Sequence, residues 1–588
     1  MEKIIPGQSN DDLMPMVSNR QIFKKEQLWI LVVLLGAFIR VLDGIRVPLF
    51  MDEMPILYNV AHFLSNKTIL PTHFNYPTFF SYLSVIPTAF LFLVLYTISG
   101  FPLSGLLDSR WTGFLFSAQQ SQLVFGGRFV SLLFAALTIY FIYRWNQNRA
   151  GWLAGLIGAL VIAVDPAGGW HVVMSRYALP DVTAAFWVLI AMMLCFRYVD
   201  EERPGILYRA AFVLGLAIGT KYNTGMGILP LAGALFIGTR SRQWKVALVT
   251  GFFLVLGFLT ASPGWMIIPG DFVNGYLFEA RHMARGHLGT HGTDWIWVIE
   301  TLWKCHTVIL PVLILTFIYS ILKRRKRDVL FLLLIIPSFL YIGQFEKKSI
   351  HYFLFLYPVT ALYIGEMIWD VNRRLKTKSA VTIFAVILAV AFVLQPLYRI
   401  KGMIKKDMIP DNRYTAEKWM REHILSGSSV VMDPLTLTGL TDAQAARSRI
   451  ELMKSSGSEF WKEAQRYYSQ RPLYHLLNIR EIWNDVDTLA ALKTDYLVVS
   501  SGNYKRFFTD DLDKIPDQDS PLFDEFMQKK LFYESLFRES GHSYRLVQSF
   551  ERAAGPHIRI YGRTLSKNEY GENNAQQEGY PGKIKRML

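Results

Sequence analysis

The sequence predicts a mainly α-helical protein that crosses a membrane many times and carries a soluble α/β domain at its C-terminal end. Of its 588 residues, 52% are hydrophobic and only 19% are charged, which is unusual for a soluble chain of this length. Several apolar stretches approach the ~20 residues that span a hydrocarbon core about 30 Å thick. After about residue 400 the charge density becomes ordinary and apolar runs become rare, which indicates a separate soluble domain.

About eleven apolar segments are predicted to span the membrane. The first follows Lys24 and Lys25 and lacks a small-residue cleavage site, so it is predicted to be a retained anchor. The two cysteines, Cys195 and Cys305, both lie in apolar segments and provide neither a disulfide framework nor metal-ligand spacing. The predicted spans are residues 27–45, 123–144, 151–165, 181–198, 207–221, 224–239, 246–262, 295–322, 328–344, 351–370 and 379–398.

The basic residues predict the orientation, because every second loop between these spans is rich in Lys and Arg. Such loops face the cytoplasm, and the N-terminus with Lys24 and Lys25 is on the same side. The net charge of +15 is explained by this pattern and does not indicate a nucleic-acid partner. The basic loops are Arg144 to Arg149, Arg197 to Arg209, Arg240 to Lys245, Lys323 to Arg327 and Arg373 to Lys378.

This topology divides the chain into four parts and predicts a multi-pass protein of a prokaryotic inner membrane. A cytoplasmic N-terminus (1–26) precedes a membrane domain (27–398) whose first outer loop is 46–122. An extracytoplasmic α/β domain follows at 399–563, with predicted strands at 429–432, 495–499 and 558–561 and helices at 413–423 and 458–467. The polar segment 564–588 is predicted to be a disordered tail.

Residues 76–98 are apolar enough to form one more span. If they crossed the membrane, the basic loop at Arg144 to Arg149 would fall on the outer side. The segment is therefore predicted to be an interfacial or re-entrant helix along the outer leaflet, with which its internal Pro87 is compatible.

The most informative chemical feature is the acidic pair Asp52 and Glu53, which comes just after the first span and so lies on the outer side. A membrane enzyme that deprotonates a substrate outside the cytoplasm needs a carboxylate at such a place. Neighbouring helical residues point about 100° apart, so the pair predicts one base and one orienting partner. The alternative is that Asp52 only caps the helix that follows, with Pro55 in its first turn.

Cations also gather on this outer side, which the positive-inside pattern should leave poor in them. Each alone could be a side chain that extends to the lipid headgroups, and Asp181 could be a helix cap. Together with His351 and Tyr352, which open a span, they would suit a phosphate on a lipid carrier. The cations are Arg128, Arg176, Lys221, Lys347 and Lys348.

In order and spacing these residues resemble the GT-C glycosyltransferases, which use lipid carriers, and especially the family-39 protein O-mannosyltransferase group and the lipid A aminoarabinose transferase. The resemblance covers about residues 27–420. The matching pieces are Asp52-Glu53, the stretch His73 to Pro77, Arg128, Tyr177 to Asp181, Gly219 to Tyr222, Lys348 with His351-Tyr352, and Asp411 to Trp419.

The resemblance implies that an acceptor hydroxyl displaces the phosphate of a polyprenyl-phosphate sugar in one inverting step. Asp52 and Glu53 would be the catalytic pair, with Asp52 as general base. The donor phosphate would be bound by Arg128, Arg176, Lys221, Tyr222, Lys347, Lys348, His351 and Tyr352. Acceptor or structural roles would fall to His73, Asn75, Tyr76 and Asp181.

The acceptor stays open between a glycolipid, a polysaccharide and a protein. The outer domain does not resemble the β-trefoil of eukaryotic protein mannosyltransferases, and the chain is not close enough to the aminoarabinose enzyme to name lipid A. A divalent metal such as Mg²⁺ or Mn²⁺ could be bound by Asp52, Glu53 and Asp181, which are scattered along the chain. The rival functions are a flippase for lipid-linked sugars and a structural assembly protein; spans nearly free of charge disfavour the flippase, and the outer cations disfavour the assembly protein.

Overall fold

The computed structural model describes residues 27–564 with gaps. The gaps are 45–48, 165–170, 239–242, 286–287, 289–294, 306–308, 346, 348, 434–436, 438, 480, 540–541 and 552–554, and parts of 375–409, 481–492 and 509–519. The N-terminus 1–26, Lys348, most of the predicted span 379–398 and the predicted tail therefore lie outside the described residues.

The membrane domain consists of helices joined by short loops and 3-10 turns. The helices are α1 (Leu28–Gly44), α2 (Met54–Asn66), α3 (Phe79–Ile98), α4 (Ser109–Ala118), α5 (Gln120–Ala150), α6 (Trp152–Ala163), α7 (His171–Met174), α8 (Pro180–Glu201), α9 (Pro204–Ile218), α10 (Ile228–Gly238), α11 (Gln243–Ala261), α12 (Gly264–Ile267), α13 (Pro269–Arg285), α14 (Trp295–Cys305), α15 (Ile309–Lys323), α16 (Lys326–Gly343) and α17 (Leu356–Arg374).

The mainly α-helical membrane fold predicted from the sequence is confirmed. By length and composition, α3, α5, α8 and the Trp244–Ala261 part of α11 can cross a membrane, and several shorter apolar helices accompany them. Three predicted spans differ most from the structure. The span 295–322 covers two described helices, α14 and α15. The spans 224–239 and 351–370 begin later, at Ile228 and Leu356, because the 3-10 turns Tyr222–Gly227 and Ile350–Phe353 precede α10 and α17.

Helix α5, about 46 Å long at 1.5 Å per residue, packs against α1, α3, α6, α8 and α17. At its C-terminal end an ion-pair network joins four helices on the side predicted to be cytoplasmic. Arg327 pairs with Asp200, and its Nη1 lies 3.3 Å from Glu366 Oε1. Arg149 also lies within ion-pair distance of Asp200, at 3.4 Å. These contacts tie α5, α8, α16 and α17 together at the end of the bundle away from the outer loops.

Helix α3, the segment predicted to be interfacial, has both ends on the side of the C-terminal domain. Its N-terminal end lies at the ends of α9 and α11, since the Phe79 amide donates to Gly219 O (3.2 Å). Near its other end Phe92 stacks on Phe116 of α4, with ring centroids 4.5 Å apart. These contacts favour a helix along the outer surface of the membrane, although its length alone would allow it to span. Its outward face is apolar, with Ile86, Phe90 and Ile98 at least 69% exposed.

The C-terminal domain is an α/β unit around one mixed sheet, which confirms the predicted α/β fold of this part of the chain. Its strands are β1 (Ser429–Met432), β2 (Thr441–Asp442), β3 (Leu473–Asn478), β4 (Tyr496–Ser500), β5 (Tyr544–Phe550) and β6 (Ile558–Arg563), in the order β2-β3-β1-β4-β6-β5. The first four strands pair in parallel, and β6 pairs antiparallel with β4 and β5. The helices are α18 (Asn412–His423), α19 (Ala443–Ser455), α20 (Trp461–Ser469), α21 (Ser501–Tyr504) and α22 (Pro521–Phe537).

Aromatic contacts hold the C-terminal domain on α4 of the first outer loop. Phe460 stacks on Trp111 with ring centroids 5.3 Å apart. The Ser458 hydroxyl lies 2.5 Å from an oxygen of Asp108, which also caps α4. The first outer loop and the C-terminal domain therefore lie on the same side of the helical bundle.

The topology predicts that Ser104, exposed in the loop after α3, faces the extracytoplasmic side. In a variant lacking both native cysteines, Ser104→Cys should react with a membrane-impermeant maleimide added to intact cells. Arg324→Cys, in a predicted cytoplasmic loop, is the matched control and should react only after the cells are permeabilised. Labelling of Ser104→Cys only after permeabilisation would mean that α3 crosses the membrane.

Candidate active site

A cavity of about 840 Å³ opens among the outer loops of the membrane domain. Its walls come from the turn before α2, the loop before α3, the start of α8, the end of α9, α13, α14 and the segment between α16 and α17. The polar residues that line it are Asp52, Asn75, Tyr76, Tyr177, Asp181, Lys221, Tyr222, Asn223, Tyr276, Glu279, His282, Tyr341, Lys347, Ser349, His351 and Tyr352. Most of the predicted site residues therefore meet in one place.

Asp52 lies in a 3-10 turn, Met51–Glu53, that precedes α2, and its side chain is exposed to the cavity. The alternative that Asp52 caps α2 is wrong, because the N-cap position is Glu53 and no side-chain capping bond is formed. The Glu53 amide donates to Phe50 O (3.0 Å), which closes the turn and leaves the Asp52 carboxylate without a capping role.

Glu53 is fully buried and accepts four hydrogen bonds. Arg128 donates from Nε (2.9 Å) and Nη2 (2.7 Å), and the backbone amides of Phe50 (2.8 Å) and Ala178 (2.6 Å) donate to the same carboxylate. A carboxylate held in this way is an anchor rather than a base. It connects α5 and the loop before α8 to the turn that carries Asp52.

Two of the cations predicted to bind the donor phosphate lie elsewhere. Arg128 does not line the cavity, because its guanidinium is buried against Glu53. Arg176 is also buried, with 7% of its surface exposed, and does not line the cavity. Arg128 thereby compensates the charge of the buried Glu53, and Arg176 lies in the same loop as Ala178, whose amide donates to Glu53.

Asp181 and Lys221 form an ion pair within the cavity wall. Asp181 lies in the first turn of α8 after Pro180, and Lys221 follows the end of α9. The Lys221 ammonium also lies 5.5 Å from the ring centroid of Tyr352. Asp181 thus has the charged partner that an acidic residue at the start of an apolar span requires.

Lys347 lies across the cavity beside α13. Its ammonium donates to His282 Nε2 (2.6 Å), and its backbone amide donates to Met283 O (3.0 Å). Nearby, Ser349 Oγ lies 2.6 Å from His351 Nδ1. His282 was not among the predicted site residues.

In the loop from His73 to Tyr76, some residues line the cavity and others pack against the rest of the protein. His73 stacks on Tyr58 with ring centroids 5.1 Å apart and does not line the cavity. The Asn59 side chain holds the backbone of His73 by accepting from its amide (3.0 Å) and donating to its carbonyl (3.0 Å). Asn75 and Tyr76 do line the cavity.

Comparison with known proteins supplies the family context. Residues 110–268 match the family described as dolichyl-phosphate-mannose-protein mannosyltransferase. No curated protein sequence matches the chain.

Three solved structures illustrate the structural similarity. The apo oligosaccharyltransferase of Archaeoglobus fulgidus has a TM-score of 0.50 at 13% identity, over 95% of this chain and 81% of that one. The same enzyme, AglB, with an inhibitory peptide and a dolichol-phosphate gives 0.50 at 12%, over 94% and 81%. ArnT from Cupriavidus metallidurans bound to undecaprenyl phosphate gives 0.48 at 13%, over 91% and 97%.

The chain has the GT-C fold. The match to the mannosyltransferase family lies within the membrane domain. It includes α5, which carries Arg128, α8, which carries Asp181, and α9, which ends shortly before Lys221. The partial family match and the similar structures therefore agree on the fold of this chain.

The electrostatics of this GT-C cavity raise the pKa of Asp52. Partial desolvation in the cavity wall has the largest effect, and the Lys347 ammonium acts in the opposite direction. The neighbouring carboxylate of Asp181 raises the Asp52 pKa further. Desolvation lowers the pKa of Lys347, while Glu279 and Asp52 raise it. Asp52 is therefore a stronger base than a solvated aspartate, and Lys347 is the cation with the largest effect on it.

The carboxylates predicted as metal ligands do not fit a shared metal ion. The Glu53 oxygens are occupied by four donors, and Asp181 is engaged by Lys221. Among the described residues, no group of three or more His, Cys, Asp or Glu side chains is placed to hold a metal. No catalytic step is therefore assigned to one.

Sequence reasoning missed Glu279 and His282, both on α13. They are three residues apart, so they lie on the same face of the helix. Both occur in the segment 263–294, which lies between two predicted spans and is rich in His and Arg, and this amphipathic spacing was the available signal.

The anchor role of Glu53 predicts a stability effect. Glu53→Ala should lower the unfolding free energy by about 3–5 kcal/mol, because it leaves the Arg128 guanidinium buried without its partner. Arg128→Ala should be similarly damaging, and the double variant should lose less than the sum of the two. The measurement is thermal unfolding of the purified protein in detergent. A Glu53→Ala protein of unchanged thermal stability but without activity would instead indicate a chemical role for Glu53.

Proposed function

We propose that this GT-C protein transfers one sugar from a polyprenyl-phosphate carrier to an acceptor hydroxyl, by inverting displacement on the extracytoplasmic face. The observation that carries this proposal is the Asp52 carboxylate. It is exposed to the cavity, has a raised pKa and faces two lysines, while its neighbour Glu53 holds it in place.

The proposed reaction has one bond-forming and one bond-breaking event. The acceptor oxygen attacks the anomeric carbon while Asp52 takes the hydroxyl proton, and a positioned base contributes about 10²–10⁴-fold. The bond between the anomeric carbon and the phosphate oxygen breaks, and the phosphate leaves with the electron pair. Lys347 and Lys221 stabilise that charge in place of the buried Arg128.

The apolar side of the cavity supports a lipid-linked donor. Trp297, Tyr341, Ile342 and Phe345 line the wall next to Lys347, so a phosphate on that lysine would have apolar surface beside it for the first isoprene units. The AglB structure named above contains a dolichol-phosphate, which belongs to the same ligand class.

The position of the charged groups supports chemistry at one face rather than transport. The cavity and the C-terminal domain lie at one end of the bundle, and the ion-pair network around Arg327 lies at the other end. Together with the basic loops, this favours transfer outside the cytoplasm to a glycolipid, polysaccharide or protein hydroxyl.

The first test of this function is Asp52→Asn in a deletion strain. Loss of the gene should cause polyprenyl-phosphate sugar to accumulate, as measured by mass spectrometry of the lipid fraction. The wild-type gene should reverse this, and the Asn variant should not, although the protein reaches the membrane in normal amounts. Asp108→Asn is the matched control, since Asp108 caps α4 outside the cavity and Asn caps about as well as Asp. Reversal by Asp52→Asn would refute Asp52 as the base.

The second test is the pH dependence of transfer. A base must be unprotonated, so kcat/KM should fall as the pH decreases through the raised pKa of Asp52, with a midpoint above the ordinary value of 3.8. Lys347 lowers this pKa, so Lys347→Ala should move the midpoint to higher pH. The measurement is transfer from a synthetic polyprenyl-phosphate sugar by purified protein. A midpoint that stays in place or moves to lower pH in Lys347→Ala would contradict the assignment.

A further inference from the structure

Two polar groups of the cavity have no role in the proposed base and phosphate chemistry. Glu279 on α13 and Asn75 in the first outer loop are 204 residues apart, yet Asn75 Nδ2 donates to Glu279 Oε1 at 2.9 Å. Both side chains line the cavity.

Packing on α13 fixes this pair independently of any substrate. Phe272 and Gly275 lie on the same face of α13 as Glu279, at i, i+3 and i+7. The Phe272 ring packs edge-on against Phe74 at 5.3 Å. A side chain at Gly275 would place its Cβ 2.6 Å from the Phe74 carbonyl oxygen, so only glycine allows this approach. Glu279 is thereby presented to the cavity on a rigid helix face.

The surroundings of Glu279 are those of a group that binds sugar hydroxyls. Burial raises the pKa values of Tyr76, Tyr222 and Tyr352, and the charge of Glu279 raises them further, so Glu279 lies within electrostatic reach of three of the cavity phenols. A carboxylate has about four acceptor positions, and Asn75 takes one of them. Aromatic walls with a few convergent polar groups are typical of small-ligand sites.

Lys347 relates Glu279 to the reacting centre. Of the cations that the structure describes, it has the largest electrostatic effect on both Glu279 and Asp52, and all three residues line one cavity. A donor phosphate bound by Lys347 would therefore hold its sugar in the cavity that both carboxylates line. Asp52 takes the acceptor proton, which leaves Glu279 for the sugar itself.

We propose that Glu279, positioned by Asn75, accepts hydrogen bonds from the sugar of the lipid-linked donor and determines which sugar is transferred. This inference rests on the proposed function. The shared chemistry is a hydrogen-bond donor on the sugar, which is either a hydroxyl or an ammonium group. Glu279 is thus a specificity-determining residue rather than a second base.

The test measures binding of short-chain polyprenyl phosphates to the purified full-length protein. The probes are the bare phosphate, the mannose and glucose conjugates, their monodeoxy analogues, and a glucosamine conjugate. Glu279→Ala should lower the affinity for the sugar conjugates by about 10- to 100-fold, which is the range for a hydrogen bond to a charged group. The affinity for the bare phosphate should stay unchanged. Lys347→Ala is the matched control and should lower the affinity for the bare phosphate and for the conjugates alike.

The variant Glu279→Gln separates a loss of sugar binding from a folding defect, because its amide oxygen can still accept the hydrogen bond from Asn75. It should keep the thermal stability of the wild type and still lose affinity for the sugar conjugates. A loss confined to glucosamine identifies ammonium recognition. Losses for the neutral sugars that disappear with one monodeoxy analogue identify the hydroxyl that Glu279 binds.

Two results would overturn the inference alone. One is equal weakening of the bare phosphate and the conjugates by the Glu279 variants, which would make Glu279 a support for Lys347. The other is wild-type affinity for every probe in both variants. If instead the wild-type protein bound no conjugate more tightly than the bare phosphate and the deletion strain accumulated no lipid-linked sugar, the proposed function itself would fail.

Discussion

The buried carboxylate of Glu53 supports the geometry of the whole outer site. Its four donors come from three separate parts of the chain: the turn before α2, helix α5 and the loop before α8. A buried charge without partners would be prohibitively costly, so these parts must meet in one arrangement. Asp52 is covalently next to this anchor, and its carboxylate therefore has a fixed place in the cavity wall.

The cavity beside this anchor contains charges of both signs, and only some of them form ion pairs with each other. Asp181 is engaged by Lys221, whereas Lys347 influences both Asp52 and Glu279. A phosphate that formed an ion pair with Lys347 would leave both carboxylates available. Asp52 could then accept a proton, and Glu279 could accept hydrogen bonds from a sugar. The apolar wall beside Lys347 completes a site for a ligand that is part lipid, part phosphate and part sugar.

The soluble domain contributes to this arrangement through the first outer loop. Phe460 stacks on Trp111 of α4, and the Tyr467 hydroxyl donates to Ala118 O (3.1 Å) at the end of the same helix. Because α4 continues almost directly into α5, which carries Arg128, the docking of the domain and the anchor of Glu53 share one continuous segment.

The sequence by itself determined the helical membrane class, the α/β domain with its strands near 429, 496 and 558, and Asp52 as the candidate base, because hydropathy, alternation and charge placement are local patterns. The gathering of cations on the predicted outer side, together with a family resemblance, also brought Lys221, Lys347 and Tyr352 into one predicted site. Only the tertiary structure decided that Arg128 pairs with Glu53, 75 residues away, and that Asn75 pairs with Glu279. Burial and pairing depend on which distant segments pack together, and a one-dimensional pattern of charges is the same whether an arginine faces a cavity or a buried acid.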